Sequence, residues 1–136
     1  MLAAAACAPN PPPAEAPVLA GGPACPAGDR AMIRDVVYFG RNRPGGGEVG
    51  DQEWNRFLEE VVTPRFPNGY TVVAAAGHWR GRGGQVEREQ TELLTLLHSG
   101  AEPDRQKVAE IAAEYKRRFR QEAVLRERLP ACARFE

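Results

Sequence analysis

Two hydrophobic patterns with different periods follow each other in the middle of the chain. Residues 32–39 read MIRDVVYF, rich in β-branched and aromatic residues, and predict a strand that stops at Gly40. A polar, glycine-rich loop over residues 41–50 follows, and Asp51 is a favourable helix N-cap. Apolar residues then recur at the spacing i, i+3, i+4, i+7, i+8, which is one face of a helix: Trp54, Phe57, Leu58, Val61 and Val62. Pro64 is expected to end this helix.

The remaining pattern predicts three more strands and one more helix. Residues 70–76 predict a second strand that runs on toward Trp79, and the GRGG segment at 81–84 predicts a turn. A third strand is expected within residues 86–98, and a second helix starts near Pro103. The apolar stripe of that helix consists of Val108, Ile111, Ala112, Tyr115 and Phe119. A last strand is expected over about 123–129, before Pro130.

The predicted order β-α-β-β-α-β is that of an α+β, ferredoxin-like split βαβ fold. It predicts a four-stranded antiparallel sheet with two helices on one face and the first strand between the fourth and the third. The start of the first strand then meets the end of the last one. Because Cys25 precedes the former and Cys132 follows the latter, we predict a disulfide between them.

The first 24 residues have a different character from the rest. Small residues precede Cys7, as in the lipobox of a bacterial lipoprotein, although the leader is truncated and lacks a basic start. An alanine-rich leader with a chance cysteine is the alternative. Residues 8–24 are proline-rich and predict a flexible tether, so that residues 25–136 form a single domain. We expect an exported protein of the periplasm or cell envelope, anchored to the membrane by lipid on Cys7.

Net charge and motifs limit the classes of function that the chain can have. The 136-residue chain has a formal net charge of zero, which argues against a nucleic-acid binder. No cluster has metal-ligand spacing, and neither a metal nor a cofactor is predicted. Glu87 and Glu89 could share one strand face and do acid–base chemistry, but at a strand edge such residues more often pair with Arg88 or Arg82. No catalytic residue is assigned.

The best site candidate is the sheet end that holds the 41–50 loop and the 77–88 hairpin. Arginines bind carboxylates and phosphates bidentately, and tryptophan offers a ring face. The candidate ligand- or partner-binding residues are Arg41, Arg43, Trp79, Arg80 and Arg82. Because the topology places the loop and the hairpin side by side, Arg41 and Arg80 are expected to converge with Trp79 on one ligand group. The alternative is that Trp79 packs under the hairpin and the arginines pair with nearby glutamates.

Four segments in order resemble one bacterial family. They read YFGRNRPGG from Tyr38, DQEWNRFL from Asp51, VTPRFPNG from Val62 and GHWRG from Gly77. The chain resembles the uncharacterised domain-of-unknown-function family 3574, over about residues 25–135. Its members are often labelled lipoproteins, so the resemblance implies export and a small α+β domain. It implies no activity and no catalytic residue.

Two functions remain open. The first is a non-catalytic envelope module that binds a protein or a small anionic ligand through the arginine and tryptophan end. The alternative is a small enzyme that works on a small molecule in a pocket on the open sheet face of a homodimer. A buried titratable group with a shifted pKa on that open face would favour the enzyme.

Overall fold

The computed structural model describes residues 24–136, and the sheet order in it is β2-β3-β1-β4. All three strand pairings are antiparallel, with Val37 opposite Leu94 and Arg126, and Val72 also opposite Leu94. The predicted ferredoxin-like arrangement, with the first strand between the fourth and the third, is confirmed. The strands are β1 (Arg30–Gly40), β2 (Thr71–Arg80), β3 (Val86–His98) and β4 (Leu125–Ala133).

Both helical segments cover one face of the sheet. The first consists of α1 (Asp51–Phe57), a π-helical turn (Leu58–Val62) and a final turn α2 (Thr63–Arg65), and the second is α3 (Glu102–Phe119). Alternate strand residues face these helices, and Phe39 lies within 6 Å of the rings of Trp54, Phe57 and Tyr115. The predicted helix stripes supply the buried core, with Ala112 and Leu58 only partly buried.

Two prolines behave differently from the prediction. The first helix does not end at Pro64, because the preceding turn is π-helical and the Thr63 N–H donates to the Leu58 carbonyl. The wider turn shifts the hydrogen-bond register just where Pro64 lacks an N–H. The last strand likewise continues beyond Pro130 to Ala133. β4 is an edge strand that pairs only with β1, so Pro130 can occupy a position whose nitrogen faces away from the ladder.

The predicted disulfide is confirmed. Cys25 and Cys132 are joined, with their Cα atoms 5.5 Å apart and 107 residues between them in sequence. The bond closes the end of the sheet where β1 begins and β4 ends, which we call the disulfide end. The opposite end, with the 41–50 loop and the turn between β2 and β3, is the hairpin end. Of the expected leader and tether, residues 1–23, with Cys7, lie outside the described residues.

Candidate functional site on the open face at the hairpin end

The 41–50 loop is fastened to β3. The Arg41 N–H donates to the Gln90 carbonyl at 3.0 Å, and the Asn42 side-chain amide donates to the Arg88 carbonyl at 3.3 Å. The loop then folds back on itself, because Asn42 forms a β-bridge with Glu48. The loop therefore continues the sheet by one short antiparallel turn and holds its side chains at fixed positions.

Arg41, the first predicted site residue, is enclosed rather than available. It is 4% exposed, and its guanidinium contacts Glu92 at 3.0 Å, Asp51 at 2.6 Å and the Val49 carbonyl at 2.8 Å. Glu92 is itself buried. Arg41 therefore joins the loop, β3 and the start of α1, and few of its N–H donors are left for a ligand.

The other four predicted residues lie in separate places. Arg43 pairs with Glu53 and stacks on the ring of Phe119, 5.4 Å from its centroid. Arg82 is largely exposed and pairs with Glu122 at 3.2 Å. Neighbouring strand residues face opposite sides, which puts Trp79 on the open face and Arg80 on the helix side.

The expected convergence of Arg41, Trp79 and Arg80 on one ligand is therefore not found. Trp79 donates from Nε1 to Glu87 at 3.3 Å, and Arg80 donates to the Gly84 carbonyl at 3.0 Å. A binding role for individual members of the set stays a prediction.

Glu89 is the titratable group that the open face buries. It is 6% exposed although it lies on the face that no helix covers. The space comes from two glycines, because a Cβ at Gly40 would overlap the Glu89 carboxyl group, and a Cβ at Gly77 would overlap Thr91 beside it. Gly77 is the direct partner of Glu89 across β2 and β3. The glycines thus form a pocket for one carboxyl group.

The Glu89 carboxyl group has few partners for a buried acid. Its Oε2 accepts the backbone N–H of Asn42 at 2.8 Å, and no cationic side chain of residues 24–136 pairs with it. Burial raises the pKa of Glu89, the Asn42 hydrogen bond opposes this, and the charge of Glu87 adds to the rise. Because its pKa is raised, Glu89 is easier to protonate than an ordinary carboxyl group and is a stronger base when ionised.

The open face is partly apolar along its length. Its large exposed hydrophobic side chains are Val73, Trp79, Leu97, Leu125 and Leu129, with exposures of 44–61%. Of these, Trp79 lies near Glu89, whereas Leu97 and Leu129 lie toward the disulfide end. Trp79 lies two residues along β2 from Gly77, which places it about 7 Å from that glycine along the strand. A flat group bound against Trp79 would therefore be within reach of Glu89.

Another buried acid, which the sequence pattern did not single out, lies at the disulfide end on the helix side. Asp35 is fully buried and accepts two hydrogen bonds from Arg128, at 3.0 and 2.9 Å. His98 Nε2 lies 2.7 Å from the same carboxylate, and the Gly100 N–H donates to His98 Nδ1. Burial opposes ionisation of Asp35, but the hydrogen bonds from Arg128 and His98 outweigh it and lower the pKa.

Within residues 24–136, no three histidine, cysteine or acidic side chains converge as metal ligands would. No helix in that part of the chain has the length and apolar character that crossing a bilayer requires.

The comparisons with known proteins define the family. The model of a family described as "Protein of unknown function (DUF3574)" matches residues 34–135. The chain belongs to this family. A search of curated proteins finds no match.

Several solved structures share the fold of this DUF3574 domain. A phage SAM lyase in complex with S-methyl-5'-thioadenosine superposes with a TM-score of 0.57 at 16% identity, covering 75% of this chain and 88% of the lyase. The same lyase in its apo state gives 0.55 at 16% identity, covering 74% and 81%. CutA from Synechococcus elongatus PCC7942 gives 0.51 at 9% identity, covering 77% and 82%. At these identities the likeness concerns the fold alone.

Proposed function

We propose that the open face around Glu89 binds a small molecule and that Glu89 transfers a proton to or from it. The observation that carries this proposal is a buried carboxyl group with no counter-ion among the described residues, on a face that no helix covers. A protein that needed Glu89 only for structure would gain by pairing it, because an unpaired buried acid lowers stability. Such groups are concentrated at sites where proton transfer is required.

The surroundings favour a reaction on a molecule that is partly flat and apolar. Trp79 offers a ring face, and the glycines Gly40 and Gly77 leave the room that the Glu89 carboxyl group and Thr91 occupy on this face. In the proposed step the Glu89 carboxylate takes a proton from the substrate, and the electron pair so freed forms a new bond within the substrate. The bond to the leaving group breaks at the same time, and the leaving group keeps its electron pair. The protonated Glu89 then returns the proton to the product or to water. The fold neighbour that carries S-methyl-5'-thioadenosine supplies a first ligand and a first substrate to test.

A second copy of the chain is proposed as the cover of this site. The exposed leucines and Val73 on the open face would be removed from water by a matching face, and the space around Glu89 would become enclosed. The proposal therefore includes a homodimer whose two open faces meet.

We further propose that this domain works in the cell envelope, held by lipid on Cys7. The disulfide between Cys25 and Cys132 supports an oxidising compartment, where such bonds form and persist. An Arg82→Gln variant should not alter this location, whereas Cys7→Ala in a chain made with a complete signal should release it from the membrane fraction. Unchanged membrane association of Cys7→Ala would count against the anchor.

The test of the Glu89 proposal combines binding and turnover. S-methyl-5'-thioadenosine binding is measured by calorimetry, and S-adenosylmethionine is incubated with the protein and followed by chromatography. We expect the protein to bind S-methyl-5'-thioadenosine and to release this compound slowly from S-adenosylmethionine. The rate of release should fall at least about 100-fold in Glu89→Gln. Glu127→Gln, which changes an exposed open-face carboxylate bonded to Tyr38, is the matched control and should keep both.

The same experiment separates the two functions that the sequence left open. The non-catalytic module would be favoured if the protein binds the ligand without turnover, and if this binding is unchanged in Glu89→Gln but weaker in Arg80→Gln or Arg82→Gln. The absence of binding and of turnover for both adenosine compounds would remove them as ligands. A wider panel of small molecules that gives no activity dependent on Glu89 would overturn the proposed proton transfer.

A further inference from the structure

A separate cleft lies on the helix side of the hairpin, behind the face that holds Glu89. The helices pack over the middle of the sheet and leave the β2–β3 hairpin uncovered on this side. The cleft has a volume of about 640 Å³ and is widely open to solvent. It is lined by Glu48, Ala74, Ala75, Ala76, Gly77, His78, Arg88, Glu89 and Gln90. By strand alternation Ala74, Ala76, His78, Arg88 and Gln90 project on the helix side, whereas the Glu89 side chain projects to the open face.

The two walls of the cleft carry opposite charges. Arg88 and His78 are direct cross-strand partners on β3 and β2, and Glu48 lies on the loop that folds back against β3. No ion pair joins Glu48 and Arg88, and neither side chain pairs with any other residue of 24–136. Arg43 and Arg82 differ in this respect, because Arg43 pairs with Glu53 and Arg82 with Glu122.

The floor between these charges is small and apolar. Ala74 and Ala76 project on the helix side of β2 and are exposed, so nothing larger than a methyl group fills the space above them. The adjoining Gln90 donates from Nε2 to Glu92, and its amide oxygen has no hydrogen-bond partner among the described residues. The loop wall is held in place, since Asn42 bonds both the Arg88 carbonyl and Glu89.

We propose that this cleft binds a free amino acid or a similarly small zwitterion. An anion and a cation that line one cleft without touching leave room for a molecule that carries both complementary charges. The ligand's ammonium group would contact Glu48, its carboxylate would contact Arg88 with His78 beside it, and its side chain would lie on Ala74 and Ala76. Guanidinium is suited to a carboxylate because it offers two parallel donors. This site is independent of the proton transfer proposed for Glu89.

The test uses three molecules that differ only in their charged groups. L-leucine carries both, 4-methylpentanoate lacks the amine, and 3-methylbutylamine lacks the carboxylate. Each is titrated into 15N-labelled protein, and amide chemical shifts report where and how tightly it binds. We expect L-leucine or, as a polar second probe, L-glutamine to shift the amides around the cleft, and each single-charge analogue to bind at least about tenfold more weakly than L-leucine.

Two variants assign the charges to the walls. Arg88→Gln should weaken the binding of L-leucine and of 4-methylpentanoate by about tenfold and leave the binding of 3-methylbutylamine unchanged. Glu48→Gln should weaken the binding of L-leucine and of 3-methylbutylamine by about tenfold and leave the binding of 4-methylpentanoate unchanged. Arg30→Gln and Glu59→Gln, which remove exposed charges far from the cleft, are the controls and should change nothing. The side chains of Glu48 and Arg88 are exposed and unpaired, so both variants should fold normally.

The outcomes that overturn the proposal are equally defined. It is wrong if neither amino acid gives saturable shifts, if the shifts lie outside the cleft, or if the two variants weaken all three molecules alike. Loss of the adenosine-compound activity in Glu89→Gln with unchanged L-leucine binding would leave this site standing, because the two sites lie on opposite faces.

Discussion

Asp35 and Glu89 are buried carboxyl groups on the same sheet, but they lie at opposite ends and on opposite faces. Asp35 has a bidentate arginine and a histidine, and the pKa of its carboxyl group is lowered. Glu89 has one backbone N–H and two glycines that make room for it, and the pKa of its carboxyl group is raised. Burial is common to both, so the partners decide the difference. The disulfide end is arranged for stability, whereas the hairpin end keeps an acid that stability alone does not require.

The largest expected effect comes from Asp35→Asn. The change leaves Arg128 facing a neutral amide and removes the anion that His98 contacts, so the free energy of unfolding should fall by about 3–5 kcal/mol. Urea unfolding followed by circular dichroism measures it. Asp29→Asn, which removes only a surface pair with Arg134, should cost about 1 kcal/mol or less. Equal losses in the two variants would show that the Asp35 network adds nothing special.

Removal of the disulfide should have the next largest effect on the same end. The bond closes a long loop, and in the chain-entropy model its loss costs up to about 4–5 kcal/mol, with about 2–4 kcal/mol typical of native bonds. The comparison is between Cys25→Ser/Cys132→Ser and the wild type, each with and without reductant. Reductant should destabilise the wild type and leave the double variant unchanged. A loss below about 1 kcal/mol would mean that the strand pairing holds this end without the bond.

The sequence predicted the sheet order because the hydrophobic periodicity of each segment and the general rules for connecting strands favour the same fold. The stripe from Trp54 to Val62 and the strand at 86–98 appear as expected, and Cys25 meets Cys132 because β1 and β4 are neighbours. The burial of Asp35 and of Glu89 was harder to predict. Arg128 lies 93 residues from Asp35, and neither residue stands out in its own segment.

Of the candidate site around Glu89, the sequence predicted only that Glu87 and Glu89 share a strand face. The pairing of Glu87 and Glu89 on one face is readable from alternation, and so is the separation of Trp79 from Arg80. The burial of Glu89 is not, because it depends on the register that brings Gly40 and Gly77 beside it across three strands. Ion pairs such as Arg41 with Glu92 depend on the same register.

Gly40→Ala tests whether the glycine pocket at the hairpin end exists to hold Glu89. The new methyl group would overlap the Glu89 carboxyl group, and the cost should be about 1–3 kcal/mol, as for an overpacked site. In the Glu89→Ala background the same change should cost at most half as much, because the clashing group is gone. Gly83→Ala, where a new Cβ meets nothing within 4 Å, is the control for the loss of a glycine. Equal costs in both backgrounds would contradict the pocket.

The smallest expected effect, and the one that most directly separates the two acids, is the pH dependence of Glu89→Gln. Because the pKa of Glu89 is raised in the folded state, that state binds more protons than the unfolded chain between the two pKa values, so the wild type loses stability as the pH rises through this window. Asp35 acts with the opposite sign, since its lowered pKa adds stability above the unfolded value that is lost as the pH falls through the folded one.

Glu89→Gln keeps an oxygen for the Asn42 N–H and removes the charge. It should therefore be as stable as the wild type at about pH 4, near the ordinary carboxyl pKa, and more stable at pH 7 by about 1 kcal/mol or less. Urea midpoints at both pH values measure the difference, with Glu127→Gln as the exposed control that should show no such gain. The stability of Glu89→Gln minus that of the wild type could instead be lower at pH 7 than at pH 4. That result would mean that Glu89 is a structural anion like Asp35. A gain at pH 7 combined with a loss of turnover is what a carboxyl group kept for chemistry at the expense of stability should show.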